Sequence, residues 1–113
     1  MDRHAMALEN AYNRIKESPV MEHIAEIYLY GSLARETVKW DSDIDLLIVL
    51  DELERDNADL RRNIIELKGT ISGDDLYNPE VDIKIAFGDS WKSSKSLFYT
   101  IILDEGKVLW KRN

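Results

Sequence analysis

The sequence predicts an α+β fold in which helices pack against one mixed sheet of about four strands. Segments of helical periodicity alternate with short segments rich in β-forming residues, and one of these short segments is almost continuously apolar. The 113 residues are close to the commonest size for one domain, and neither a repeat nor a linker interrupts them. We therefore expect a single domain over residues 1–113.

Three segments predict amphipathic helices, because their apolar residues recur at three- and four-residue spacing. They are residues 2–17, 52–68 and 90–103, and Gly106 ends the last of them. The predicted buried stripes are Ala5, Leu8, Ala11, Tyr12 and Ile15 in the first helix, Leu53, Leu60, Ile64 and Leu67 in the second, and Leu97, Ile101 and either Phe98 or Ile102 in the third.

Four segments predict strands, at residues 25–30, 44–50, 81–87 and 107–111. Residues 44–50 (IDLLIVL) form a nearly continuous apolar run, which is typical of a strand buried on both faces. In residues 81–87 (VDIKIAF) every second residue is a large apolar one, so this strand has one predominantly apolar face. The predicted order of elements is α-β-β-α-β-α-β.

Composition limits the classes of function. The chain has 15 Lys and Arg against 22 Asp and Glu, a net charge of −7, so it lacks the positive excess with which proteins bind long nucleic acids. It contains no cysteine, which excludes disulfides and thiolate metal sites. No apolar run approaches the roughly 20 residues of a membrane span, and the N-terminus is too polar for a secretory signal. We therefore expect a cytoplasmic protein without a membrane partner.

Two carboxylates stand at the start of the most apolar strand. Asp43 and Asp45 are separated by one residue, so strand alternation puts both side chains on one face, with Cα atoms about 6.5–7 Å apart. Carboxylates placed in this way repel each other unless a proton or a divalent cation neutralises them. Oxygen ligands without Cys or His favour magnesium or manganese over zinc. The pattern therefore predicts a metal site.

A third carboxylate and a phosphate-type turn are available nearby in the predicted sheet. Asp82 lies on the face opposite the apolar residues of its strand, and it can approach Asp43 and Asp45 if the two strands are neighbours. A cluster of three can hold two metal ions about 3.5–4 Å apart, as in phosphoryl-transfer sites. Gly31-Ser32 follows the first strand, where exposed amides and a hydroxyl can donate hydrogen bonds to phosphate.

The segment GSLARETVKWDSDIDLLIVL, residues 31–50, resembles the signature of the DNA polymerase beta-type nucleotidyltransferase superfamily. In that superfamily Gly-Ser is followed, after a short helix, by Asp-x-Asp. The chain resembles the minimal nucleotidyltransferase branch in its small size and in the sequences of residues 31–35 and 42–46. The resemblance covers essentially the whole chain, and it implies the nucleotidyltransferase fold.

The resemblance also implies roles for five residues. Gly31 and Ser32 would bind the phosphates of ATP, the substrate. Asp43 and Asp45 would bind two Mg²⁺ ions, for which Mn²⁺ could substitute. Asp82 would bind one of the two ions and help to activate the acceptor hydroxyl.

The resemblance carries one further expectation and one departure. Residues 32–36 would begin a short helix whose N-terminus faces the triphosphate. The departure is Glu36, where the branch commonly has glycine. A carboxylate that pointed inward there would repel the triphosphate, which puts catalytic efficiency in doubt.

Three functions are compatible with this resemblance. In the first, the chain is the antitoxin of a type VII toxin–antitoxin pair and transfers AMP from ATP to a tyrosine hydroxyl of a HEPN ribonuclease toxin. In the second, it modifies a small molecule, as aminoglycoside nucleotidyltransferases do, with a homo-oligomer forming the acceptor pocket. In the third, it neutralises its partner by binding alone. Polymerisation of DNA is disfavoured, because the chain is small and acidic.

Three ring-bearing side chains have less specific expectations. Trp40 stands close to the two aspartates, so it is a candidate for stacking on a nucleotide base. His4 and His23 are isolated in the sequence, which favours structural or surface positions over catalytic ones.

Overall fold

The computed structural model describes residues 2–71 and 79–113. Its strands are β1 (Ile24–Tyr30), β2 (Ile44–Leu50), β3 (Val81–Phe87) and β4 (Lys107–Lys111). They form one sheet in the order β3-β2-β1-β4, in which β2 and β3 are parallel and the other neighbours antiparallel. The predicted mixed sheet of four strands is therefore confirmed.

Three α-helices accompany the sheet, α1 (Arg3–Glu17), α2 (Ala58–Ile71) and α3 (Leu97–Glu105). Short 3-10 helices precede β1, α2 and α3, at Pro19–His23, Glu52–Glu54 and Ser90–Ser93. Within the two described ranges, no helix is both long enough and apolar enough to span a bilayer.

The second predicted helix begins later than expected. Residues 52–54 form a separate 3-10 turn, and α2 starts only after Asn57, whose side-chain oxygen accepts a hydrogen bond from the backbone N–H of Leu60 at 3.1 Å. Asparagine is a preferred cap at a helix N-terminus, and this bond explains the late start. The prediction that Leu53 belongs to the buried stripe was wrong, because Leu53 is 96% exposed.

The third predicted helix is likewise divided. Residues 90–93 form a 3-10 helix, and α3 begins at Leu97 and ends before Gly106, as the glycine predicted. Leu97, at the first position of α3, is exposed, so its predicted burial was wrong. Ile102 is the fully buried residue of this helix, which decides the alternative between Phe98 and Ile102.

The sheet separates two apolar clusters. Every residue of β2 except Asp45 is buried, as expected for a strand covered on both faces. One face packs against α1 and α2 through a large core that includes Ala11, Ile15, Ile27, Leu46, Ile48, Leu60, Ile64, Leu67 and Ile83. The other face packs against the segment that contains α3 through a smaller cluster of Tyr28, Leu47, Val49, Ala86, Trp91 and Ile102. This second face also carries the candidate site.

Candidate active site

The predicted carboxylates of β2 and β3 meet directly across the sheet. Asp45 and Asp82 are register partners in the parallel pair, so their Cα atoms lie about 4.8 Å apart and their side chains share one face. The sequence predicted that Asp82 could approach Asp45 only if the two strands were neighbours, and the observed strand order fulfils that condition.

Asp45 is the electrostatic centre of this group. Burial raises the pKa of its carboxyl group above the ordinary value, and the negative charges of Asp82 and Asp43 raise it further. The positive charges of Arg35 and Lys84 offset part of that rise. The surroundings of Asp45 therefore disfavour its ionised form, and a bound cation would reverse this effect.

Tyr30 of β1 lies beside Asp45 on the side away from Asp82, because it is the antiparallel register partner of Asp45. Burial raises the pKa of its hydroxyl group, and Asp45, Asp82 and Tyr99 contribute to the rise. The ring of Tyr30 packs edge-on against Phe98 of α3, with ring centroids 5.4 Å apart. Tyr30 and Phe98 thus form an aromatic wall beside the two carboxylates of β2 and β3.

Asp43 lies just outside the strand and is exposed. No three carboxylate or imidazole groups in residues 2–71 and 79–113 form a ready-made metal cluster. Asp45 and Asp82 are neighbours across the two strands, and the negative charge of Asp43 raises the pKa of Asp45. This oxygen-only donor set fits a hard divalent cation. Metal binding by Asp43, Asp45 and Asp82 stays a prediction.

Gly31 brings backbone against the central carboxylate. It has a φ of +79°, a left-handed conformation that favours glycine. A Cβ atom built on Gly31 would lie 2.3 Å from Oδ2 of Asp45, a separation at which one of the two groups must move. The glycine is therefore required both by its φ and by the close approach to Asp45. Phosphate binding by Gly31 and Ser32 stays a prediction.

The segment that follows β1 is a turn, so the expected helix at residues 32–36 was wrong. Its backbone bonds have mixed spacing, because Arg35 N donates to Gly31 O at 3.1 Å whereas Thr37 N donates to Ser32 O at 2.9 Å. Regular helical bonding cannot continue through Glu36, whose φ is +61°.

The conformation of Glu36 gives a physical reason for the glycine that the resemblance leads one to expect at this position. A left-handed φ is unfavourable for residues with a side chain, and glycine avoids that cost. The side chain of Glu36 is 84% exposed, and its carboxylate lies 3.9 Å from the ammonium of Lys107. The carboxylate therefore points to solvent, away from the buried side of the turn.

Sequence reasoning assigned no role to Lys84, and it left Arg35 undecided between a phosphate contact and a solvated side chain. Lys84 Nζ lies 3.4 Å from Oδ2 of Asp82, and Arg35, whose charge acts on Asp45, lies 3.3 Å from a carboxylate oxygen of Glu105. The period-two pattern of β3 could have revealed Lys84, because it places Lys84 and Asp82 on one face. Arg35 depends on the path of an irregular turn, which no periodicity predicts.

Trp40, His4 and His23 make their contacts with residues other than the three predicted metal ligands. Trp40 is 66% exposed, and the guanidinium of Arg3 stacks 3.7 Å from its ring centre. His4 is buried, with Nε2 2.9 Å from the backbone oxygen of Ser42. His23 lies beside two glutamates near the start of β1.

Together these positions create an acidic end on one sheet face. A strained turn with close backbone approach borders it on one side, and the aromatic residues of β1 and α3 border it on another. Carboxylates attract a cation, and a bound cation attracts phosphate. The arrangement is chemically suited to a metal–phosphate ligand.

The chain matches a known protein family and several solved structures. The family model described as polymerase beta, nucleotidyltransferase, matches residues 13–113, which include the turn and all three aspartates. No curated protein matches the chain in sequence.

Three solved structures have similar folds. A protein from Sulfolobus solfataricus that is provisionally named a nucleotidyltransferase is 19% identical, with a TM-score of 0.52, over 99% of this chain and 90% of that one. A toxin–antitoxin structure with AMP-PNP is 22% identical, with a TM-score of 0.61, over 93% and 74%. A mutant of the toxin–antitoxin MntA-HpeT is 18% identical, with a TM-score of 0.62, over 93% and 73%. At these identities the likeness establishes the fold.

Proposed function

The chain belongs to the polymerase beta nucleotidyltransferase family, and on that premise we propose that it transfers AMP from ATP to a hydroxyl group of a protein partner. The observation that carries the proposal is the pairing of Asp45 with Asp82 directly beside the backbone of Gly31. Nucleotidyl transfer needs metal-binding carboxylates close to the groups that bind the phosphates, because the metal ions act on the phosphate oxygens.

Asp43, Asp45 and Asp82 would hold the magnesium ions. When bound, these ions would neutralise the carboxylates and polarise the phosphate oxygens of ATP. Asp45 has the central position, because it is the register partner of Asp82 and the sequence neighbour of Asp43. The backbone of Gly31 and the hydroxyl of Ser32 would donate hydrogen bonds to the β- and γ-phosphates.

The acceptor hydroxyl enters from the side of Asp82. Strand β3 is at one edge of the sheet, so Asp82 lies one strand farther than Asp45 from the turn that would hold the phosphates. The acceptor oxygen would form a new bond to the α-phosphorus while the bond from that phosphorus to the β-phosphate oxygen breaks. Pyrophosphate leaves on the side of Gly31, and the hydroxyl proton passes to Asp82 and then to solvent.

We further propose that the partner is a HEPN-type ribonuclease toxin, modified on a tyrosine hydroxyl, and that the chain acts as its antitoxin. Two toxin–antitoxin structures share the fold, and one of them contains AMP-PNP. The net charge of −7 suits a partner whose RNA-binding face is basic, since opposite charges accelerate association.

An intact-mass experiment tests this proposal. The chain is mixed with a HEPN-type protein from the same genome, with ATP and magnesium, and the mass of each protein is recorded. We expect the partner to gain one or more AMP units. Asp45→Asn should abolish the gain, whereas Asp56→Asn, a matched change at a 98% exposed aspartate, should preserve it.

Other outcomes would replace the proposal. An unmodified partner in a stable complex would establish binding alone, whereas the absence of both complex and modification would direct the search to small-molecule acceptors. A gain of mass that survives Asp45→Asn would contradict the assigned site.

A further inference from the structure

We propose that Arg3 and His4, at the start of α1, are positioning residues that hold the loop before Asp43 in the geometry needed for metal binding. The inference rests on the proposed function in one respect, since it takes Asp43 as a metal ligand. Its structural content is independent of that role, because it concerns which contacts fix the loop.

The loop before Asp43 has few stabilising contacts within itself. Its internal bonds form one small turn, in which Lys39 N donates to Ser42 Oγ at 2.9 Å and Ser42 N donates to Lys39 O at 3.1 Å. Trp40 is 66% exposed and Val38 is 38% exposed, so burial of apolar surface does not fix the outer side of this turn. A short polar turn of this kind is easily displaced unless other elements hold it.

His4 supplies the first external contact. It is 7% exposed, and its Nε2 lies 2.9 Å from the backbone oxygen of Ser42, the residue immediately before Asp43. A carbonyl oxygen can only accept, so Nε2 carries the hydrogen and donates it. A bond from a buried, packed ring to the adjacent peptide restricts the backbone on which the Asp43 side chain is mounted.

Arg3 supplies the second contact, two residues earlier in the loop. Its NH1 donates to the backbone oxygen of Trp40 at 2.7 Å, and its guanidinium carbon lies 3.7 Å from the centre of the Trp40 ring. The charge-assisted bond and the cation–π contact act on the same loop residue, which strengthens its attachment to α1.

These contacts leave Asp43 between two fixed points. On one side α1 holds the carbonyls of residues 40 and 42, and on the other Ile44 N donates to Glu80 O at 2.8 Å. The N-terminus of α1 is fixed in turn, because Asp2 caps it through a 2.8 Å bond from Ala5 N. A metal ligand held in this way loses less conformational entropy when it binds than one on a free loop.

Metal affinity should therefore depend on a residue that touches neither metal nor nucleotide. Outer-shell partners of metal ligands typically change metal affinity by about 10- to 100-fold when they are removed. We expect His4→Phe, which keeps a ring of similar shape and removes the donor, to weaken metal binding by about tenfold. His4→Gln restores an N–H donor near the position of Nε2 and should remain within about twofold of wild type.

Two measurements test the inference. The first is amide hydrogen exchange of residues 39–43 without metal, which we expect to be about fivefold faster in His4→Phe than in wild type, as for the loss of one hydrogen bond. The second is the Mn²⁺ concentration for half-saturation in the presence of α,β-methylene-ATP, recorded by electron paramagnetic resonance. His23→Phe is the matched control, because His23 is a partly buried histidine with contacts elsewhere.

The outcomes separate this inference from the proposed function. Unchanged exchange and unchanged Mn²⁺ binding in His4→Phe, with binding intact in wild type, would overturn the inference alone. Failure of wild type to bind Mn²⁺ would overturn the proposed function, while the exchange experiment would still decide whether His4 holds the loop. If His4→Phe fails to fold, Arg3→Met provides the second variant, and we expect the same direction of change in both measurements.

Discussion

Two carboxylate groups lie at opposite ends of one sheet face, and their environments differ. At one end Glu26 is 5% exposed, accepts a 2.6 Å hydrogen bond from the Tyr28 hydroxyl and lies 2.9 Å from Lys92 Nζ. Burial acts to raise the pKa of Glu26, but these two partners outweigh it and lower the pKa. At the other end, burial and neighbouring carboxylates raise the pKa of Asp45.

The difference distinguishes a carboxylate with an internal counter-charge from one that a bound cation would stabilise. Glu26 has its counter-charge inside the protein, so its ionised form is stabilised without any ligand. Asp45 lies beside other aspartates, and the nearby cations do not compensate for them. An arrangement that is unfavourable in the free protein becomes favourable when a cation binds, which is the pattern expected of a binding site.

The largest expected effect is that of Asp45→Asn on activity. Loss of the central carboxylate should reduce AMP transfer by about 10³-fold, as the removal of a key electrostatic group does elsewhere. The same change should raise the free energy of unfolding of the metal-free protein by about 1 kcal/mol, because it removes a repulsive charge. Transfer assays and urea unfolding measure the two effects. A variant that is both less active and less stable would refute the contrast with Glu26.

Gly31→Ala should have the next largest effect. The new Cβ would displace the Asp45 carboxylate and would require a left-handed φ, so we expect about a 100-fold loss of transfer and a loss of stability of about 1–2 kcal/mol. Gly69→Ala is the control, because an added Cβ meets nothing within 4 Å there. That helical change should increase stability by about 0.5–1 kcal/mol. Equal effects at both glycines would contradict the account.

Glu26→Gln should act on stability and leave transfer nearly unchanged. It removes the charged partner of Lys92, and we expect a loss of about 2 kcal/mol near pH 7. Because the pKa of Glu26 is lower in the folded protein than in the unfolded one, its contribution is present above the unfolded pKa and is lost as pH falls through the folded pKa. Urea unfolding of wild type and Glu26→Gln, at pH 7 and in acid, measures this contribution. The difference in their free energies of unfolding should be smaller in acid than at pH 7. A difference independent of pH would exclude the ion pair as its cause.

Asp45 should show the opposite pH dependence. Its pKa is raised in the folded metal-free protein, so its favourable contribution is present below the unfolded pKa and is lost as pH rises through the folded pKa. The stability gain of Asp45→Asn should therefore be full above the folded pKa and should disappear in acid. A series of urea titrations across this range measures it.

The smallest expected effect is that of Glu36→Gly. Relief of the left-handed φ favours the variant, whereas the greater freedom of glycine in the unfolded chain opposes it, so we expect a net gain of about 0.5 kcal/mol. Transfer should stay within about twofold, because the Glu36 side chain faces solvent. Thermal unfolding checks the first expectation and a transfer assay the second.

Hydrophobic patterning predicted the strands well, because the continuous apolar run of β2 and the alternation in β3 are both visible in the local sequence. Residues 44–50, 81–87 and 107–111 are strands over the predicted bounds, and β2 carries Asp45 on the face that the pattern required. The helices were predicted less accurately. The cap at Asn57 and the 3-10 turns before α2 and α3 depend on particular local hydrogen bonds. The spacing of apolar residues does not predict such bonds.

The same distinction applies to the site. The proximity of Asp45 and Asp82 could be predicted from strand parity once their strands were taken as neighbours, whereas metal binding by Asp43, Asp45 and Asp82 stays a prediction. The position of Arg35 and the attachment of the Asp43 loop to α1 could not be predicted, because Arg35 and His4 act through contacts between distant parts of the chain. Lys84 could have been predicted, because the period-two pattern of residues 81–87 places it on the same face as Asp82.

The most direct test of the central claim is the shift in thermal midpoint produced by magnesium with α,β-methylene-ATP. A ligand at 100 times its dissociation constant stabilises the folded state by about 2.7 kcal/mol, a shift of several degrees in a protein of this size. We expect this shift in wild type only when both components are present, and no shift in Asp45→Asn. A nucleotide shift of equal size in EDTA, or one that survives in Asp45→Asn, would contradict the assignment of the acidic end as a metal–nucleotide site.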